Sequence, residues 1–86
     1  MDIVNELNNI EIKGKRIVIN GETYIVLKRK NELDTKPPYY LFNTNKKEYL
    51  SSLYETNEKN TYLFDIRNDG EYIIRFYQEG YEIEEI

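Results

Sequence analysis

The chain has 86 residues, of which 40% are hydrophobic and 33% charged, and its net charge is −4. It contains no cysteine and no histidine, which excludes disulfide bonds, zinc sites built on these residues, and Ser-His or Cys-His catalytic pairs. A chain this short forms one domain, which we assign to residues 1–86, and it needs most of its large apolar side chains in one core.

The sequence has no segment typical of secretion, membrane insertion or catalysis. Its start, MDIVNELNNIEI, lacks a basic stretch and an unbroken apolar run, and no stretch approaches about 20 consecutive apolar residues. We therefore expect a cytoplasmic protein. Calcium-loop and P-loop patterns are absent, and no pattern holds the carboxylates at positions 65, 69, 71 and 79 in a pocket. We expect no enzyme activity, no metal and no cofactor.

The first third of the chain predicts a short helix followed by a hairpin. Asp2 can cap a helix over residues 2–9, where apolar side chains recur at helical spacing. Asn20 and Gly21 then separate two β-branched runs, and both tolerate the positive φ of a type I′ turn. One face of this hairpin carries Ile17, Ile19, Tyr24 and Val26, and the other carries Val18, Ile25 and Leu27. Since both faces are apolar, both are expected to be at least partly covered.

The middle of the chain predicts a strand and a second helix. Two prolines delay the strand after a polar loop, so YYLFN at residues 39–43 is expected to begin where the prolines end. In NKKEYLSSLYE the apolar residues have the spacing of one helix face, and Asn45 followed by Glu48 matches a capping box. We expect a helix over residues 46–56, with a strand as the alternative.

The stretch YLFDIRNDGEYIIRFY predicts a second hairpin. A two-residue turn would mix polar and apolar side chains on both faces, whereas a three-residue turn Asn68-Asp69-Gly70 separates them. This register pairs Ile66 with Tyr72, Phe64 with Ile74, and Tyr62 with Phe76 on one apolar face. It also pairs Arg67 with Glu71 on the opposite face. Both tyrosines of the apolar face are therefore expected in the core.

The order helix, hairpin, strand, helix, hairpin predicts an α+β domain. Its sheet is expected to have about five mainly antiparallel strands, formed by the two hairpins and the single strand, with the two short helices against one face. A small open β-barrel is the alternative architecture.

Charge is distributed unevenly along the chain. Residues 58–86 hold eight acidic and three basic residues, whereas residues 1–57 hold eight acidic and nine basic ones. We predict a partner-binding acidic surface that contains Tyr77, Glu79, Tyr81, Glu82, Glu84 and Glu85. Spaced carboxylates can imitate a nucleic acid in a basic channel, and tyrosine is enriched in binding hot spots. The alternative is a solvated terminus that keeps the domain soluble.

A second candidate site lies at the open end of the first hairpin. It contains Lys13, Lys15, Arg16, Lys28, Arg29 and Lys30. Such a cluster can bind nucleic acid through counterion release, with nearby aromatic rings stacking on bases. The alternative is a set of solvated side chains that guard a sheet edge. The negative net charge opposes binding of a polyanion, so we expect a protein partner rather than nucleic acid.

The composition indicates an origin and a class of function. Alanine is absent while Asn, Ile, Lys, Tyr and Glu are abundant, as expected of a low-GC bacterium or its phages and plasmids. In size, acidity and composition the chain resembles the small accessory proteins of phages and mobile elements, including anti-CRISPR proteins. The resemblance implies a protein-binding inhibitor of a host nucleic-acid-acting protein or defence complex. The alternatives are a small nucleic-acid-binding or regulatory domain, and a subunit completed as a homodimer.

Overall fold

The computed structural model describes residues 10–30, 35–67 and 70–86, and its regular elements are all β-strands. They are β1 Arg16–Ile19, β2 Glu22–Lys28, β3 Tyr39–Asn43, β4 Glu48–Ser52, β5 Tyr54–Glu55, β6 Thr61–Ile66, β7 Gly70–Tyr77 and β8 Gly80–Glu85. The first four form one antiparallel sheet and the last four a second, with consecutive strands as neighbours in each. The fold is thus two successive meanders.

This architecture corrects the predicted α+β fold. Two four-stranded sheets replace the expected single sheet, and the described residues contain no helix. The predicted helix at residues 46–56 is wrong, because this segment forms β4 and β5. The predicted helix at residues 2–9 lies outside the described residues. The predicted strand at residues 39–43 is confirmed as β3, and within the described ranges no backbone ladder joins the sheets into a closed barrel.

A β-bulge explains why β4 has an apolar spacing that imitates a helix. Phe42 of β3 pairs with Tyr49, but the preceding Leu41 pairs with Ser51, so Leu50 is an extra residue in β4. A bulge of this kind breaks the alternation of a strand, because two residues oppose one on the partner strand. The sequence pattern was therefore compatible with a helix, while pairing with β3 favours the strand.

The predicted first hairpin is confirmed. Asn20 and Gly21 have φ angles of 52° and 81°, as a type I′ turn requires, and Ile17 pairs with Tyr24. The four side chains that were predicted to share one face, Ile17, Ile19, Tyr24 and Val26, are all buried. The opposite face is covered only in part, since Val18 remains 53% exposed.

The second hairpin forms between β6 and β7 in a register that differs from the predicted one. Ile66 pairs with Gly70 rather than with Tyr72, and the predicted pairing of Arg67 with Glu71 is wrong for the same reason. Because the difference is two residues, which is one full period of a strand, the same side chains still face the core. The first two residues of the predicted turn lie outside the described residues.

The two sheets share one cluster of buried side chains. It consists of Ile12, Ile17, Ile19, Tyr24, Val26, Leu41 and Leu53 from the first sheet and its flanks, and Phe64, Ile74 and Phe76 from the second. Tyr62 and Tyr72 pack against this cluster and are half-buried, so both contribute to the core as predicted. Each sheet therefore has an inner face in the core and an outer face that points away from it.

Two side-chain hydroxyls join the sheets where their backbone ladders stop. Ser51 Oγ accepts the backbone N–H of Asp65 at 3.2 Å, which links β4 to β6. Tyr81 Oη accepts the backbone N–H of Val18 at 2.8 Å, which links β8 to the free edge of β1. An unpaired N–H on a strand edge is open to pairing with another chain. The hydroxyls satisfy two such groups and fasten one sheet to the other.

Candidate functional site

The outer face of the second sheet is the strongest candidate for a functional surface. Alternation along the strands directs every second residue away from the core. The residues on this side, which we call the acidic face, are Tyr54, Leu63, Asp65, Glu71, Ile73, Arg75, Tyr77, Glu82 and Glu84. They comprise four carboxylates and a single guanidinium, so the face is strongly negative.

Cross-strand pairing orders the acidic face into rows. The central row, running from β5 to β8, consists of Tyr54, Leu63, Ile73 and Glu84. Asp65 and Glu71 form the row on one side, and Arg75 and Glu82 lie in the row on the other. The central row is apolar except for Glu84 at its end, and charged residues flank it on both sides. An apolar centre with a polar rim is the usual anatomy of a protein–protein interface.

Asp65 and Glu71 lie directly opposite each other on β6 and β7. Both side chains are exposed, and neither belongs to an ion pair among the described residues. Like charges at directly opposed positions destabilise a sheet. A cationic group placed near both carboxylates would reduce this repulsion.

Arg75 and Tyr77 orient two carboxylates of β8. Arg75 Nη1 donates to Glu84 at 2.9 Å and its Nε lies 3.8 Å from Glu58, while the Tyr77 hydroxyl donates to Glu82 at 2.9 Å. The hydrogen bond to Glu84 raises the pKa of Arg75, and the hydrogen bond to Glu82 raises the pKa of Tyr77. Both donors therefore keep their protons at neutral pH, and the two carboxylates on β8 are held in place.

The structure divides the predicted acidic site. Tyr77, Glu82 and Glu84 lie together on the acidic face, whereas Tyr81 turns inward and binds the edge of β1. Glu79 lies in the turn between β7 and β8, and Glu85 follows the inward direction of β8 although it remains exposed. Of the six residues that were predicted to form one surface, three therefore share a face in the structure.

Sequence reasoning missed strand β8 and two of the carboxylates on the acidic face. The alternation of Tyr81 and Ile83 with glutamates, directly after Gly80, is a strand signal that would have identified β8. Asp65 and Glu71 are distant from the acidic end of the sequence. They join the face only because β6 and β7 pair beside β8.

The structure also changes the predicted basic site. Lys13, Lys15, Arg16, Lys28, Arg29 and Lys30 do lie at one end of the first sheet, where β1 begins and β2 ends. Arg29, however, donates from Nε to the Pro37 carbonyl and from Nη2 to Ser52 Oγ, both at 2.8 Å. Its guanidinium lies 5.0 Å from the ring centroid of Tyr40, and Lys28 Nζ lies 5.9 Å from that of Tyr39. These two cations therefore stabilise the fold.

A cleft of about 380 Å³ lies beside the loop that joins β5 to β6, and its lining includes Tyr39, Glu55 and Tyr62. Burial raises the pKa of Tyr39, with a further contribution from the negative charge of Glu11. Burial and then the charge of Glu55 raise the pKa of Tyr62. Both phenols therefore stay protonated at neutral pH. The described part of the chain contains no acidic cluster suited to hold a metal ion.

Comparisons with known proteins found no relative of this chain. No protein-family model, no curated protein and no solved structure matches the chain. Across the described ranges, no helix has the length and apolar character needed to cross a membrane. The function is therefore inferred from the surfaces of this chain alone.

Proposed function

We propose that the protein is a non-enzymatic, cytoplasmic binding module that docks through its acidic face on a basic surface of a host protein. Its partner is a nucleic-acid-acting protein or defence complex of a low-GC bacterium, which it inhibits as a phage or mobile-element product. The proposal rests on one observation above all. Asp65 and Glu71 form an unfavourable opposed pair beside an apolar row, on a face whose charge is strongly negative.

The acidic face contains the two components that such docking needs. Channels that bind nucleic acid hold clustered Lys and Arg, and carboxylates complement these charges and accelerate association. Tyr54 in the central row and Tyr77 near the end of β7 are each 47% exposed, and they supply side chains of the type found in binding hot spots. Because the residues stand on paired strands, little conformational entropy is lost when they bind.

Affinity capture from a nuclease-treated lysate of a low-GC bacterium tests the proposal. Three tagged proteins are compared: the wild type, the Asp65→Asn/Glu71→Gln variant, and a control, Glu79→Gln/Glu85→Gln. The control also removes two carboxylate charges but leaves the acidic face unchanged. We expect a basic protein that the wild type and the control retain and the face variant loses.

The captured protein, once purified, allows the affinity to be measured. Removal of two interfacial charges should weaken binding at least about ten-fold, which corresponds to about 1.4 kcal/mol, and should slow association at low salt. Competition by duplex DNA would support occupation of a nucleic-acid channel. Equal affinity of the face variant and the control would contradict the proposed role of the acidic face.

A further inference from the structure

The outer face of the first sheet has a different character from the acidic face. Its residues, which we call the aromatic face, are Val18, Ile25, Leu27, Tyr40, Phe42 and Tyr49. They are contiguous, because Phe42 pairs with Ile25 on one side and with Tyr49 on the other. The acidic residues of the four described strands, Glu22 and Glu48, belong to the opposite side by register. Arg16, on the same side as Val18, contributes a positive charge.

The net charge of the chain conceals a division between the two sheets. Residues 10–53, which contain the first sheet, hold nine basic and five acidic residues, whereas residues 54–86 hold three basic and nine acidic ones. A polyanion that approaches the first sheet therefore meets a locally positive region, although the whole chain is negative. The negative net charge of the whole chain therefore does not oppose binding of a polyanion at this face.

A fixed cluster of rings and one guanidinium lies at one end of the aromatic face. The ring centroids of Tyr40 and Tyr49 are 5.8 Å apart, and the Arg29 guanidinium lies 5.0 Å from the first and 5.8 Å from the second. Ser52 Oγ hydrogen-bonds both Arg29 and the Tyr49 hydroxyl. Tyr49 is nevertheless 54% exposed, so a well-anchored ring presents its surface to solvent.

We infer that the aromatic face binds single-stranded nucleic acid. Bases stack on Tyr49 and the neighbouring rings, while phosphates lie near Arg16 and the exposed lysines at the open end of the first hairpin. Rings on a sheet combined with nearby cations are the common means of binding single strands with little sequence preference. The bases of a duplex are already stacked on each other, so single strands are favoured. This inference is independent of the proposed function, because the two faces belong to different sheets.

Fluorescence anisotropy with the full chain and a labelled oligodeoxythymidine of about 16 nucleotides tests the inference. Tyr49→Ala should weaken binding at least about five-fold, the lower limit for loss of one base stack, whereas Tyr49→Phe keeps the ring and should bind like the wild type. The matched control is Tyr54→Ala, which removes a tyrosine of similar exposure from the second sheet. Arg16→Gln should reduce the slope of log affinity against log salt by about 0.7.

Several outcomes would overturn the inference. One is an anisotropy that does not rise at about 50 mM salt, and another is an affinity that does not fall between about 50 and 200 mM. Equal losses for Tyr49→Ala and Tyr54→Ala would show that the aromatic face has no special role. Light scattering provides the last test, because a wild-type dimer that Tyr49→Ala converts to a monomer would assign the face to a second copy of the chain.

Discussion

The opposed carboxylates of the acidic face allow a quantitative test, in which Glu71→Gln removes one of the two charges. Asp65 and Glu71 are direct cross-strand neighbours and both are exposed, so their charges interact mainly through water. Two charges about 6 Å apart in water repel by about 0.7 kcal/mol, and screening at about 0.1 M salt reduces this to about 0.4 kcal/mol. The variant should therefore be more stable than the wild type by about this amount.

Urea unfolding at low and high salt measures this effect. The gain in the free energy of unfolding should vanish near 1 M salt, where the Debye length is about 3 Å. In thermal unfolding at low salt the same gain should raise the melting temperature by about 2 to 3 °C. Glu79→Gln is the control, because Glu79 lies in a turn and not in a cross-strand pair. A variant no more stable than the wild type at low salt, or a gain that salt does not reduce, would refute the reasoning.

The same substitution should weaken partner binding while it stabilises the fold. Residues that serve a binding site often reduce stability, because they are arranged for the partner and not for the free protein. A loss of stability together with a loss of binding would instead indicate that Glu71 supports the sheet.

Three further predictions concern the fold. Tyr81→Phe removes the acceptor of the Val18 amide and should cost about 1 kcal/mol in urea unfolding, with faster hydrogen exchange at that amide; unchanged exchange would exclude the proposed link between the sheets. The buried Asn43 amide donates to Glu22 at 2.9 Å and, with Lys46, lowers the pKa of that carboxyl, so this contribution to stability is present at neutral pH and is lost as the pH falls through the lowered pKa. Asn43→Ala should therefore make stability less sensitive to acid, and an unchanged pH profile would argue against this coupling. Leu53→Ala, at a fully buried position between β4 and β5, should cost about 2 to 5 kcal/mol in thermal unfolding followed by circular dichroism, and a loss below about 1 kcal/mol would contradict its place in the core.

Local sequence signals predicted the parts of the fold that local chemistry controls. The Asn20-Gly21 turn was predicted because few residues adopt positive φ, and this turn fixes the register of β1 and β2. The strand at residues 39–43 was predicted because prolines mark its start. In the second hairpin the core-facing side chains were correct although the register was not, since an error of two residues preserves the direction of every side chain.

The sequence by itself determined composition, charge, the first turn and the alternation that separates inner from outer side chains. Only the tertiary structure decided that Glu48–Ser52 and Tyr54–Glu55 are strands and not parts of a helix, because the bulge opposite Leu41 and Phe42 depends on β3. It alone placed Asp65 opposite Glu71 and gathered the aromatic rings on the first sheet. The physical reason is that turns and strand periods act between near neighbours in the chain, whereas a surface is made by residues that cross-strand pairing brings together from distant positions.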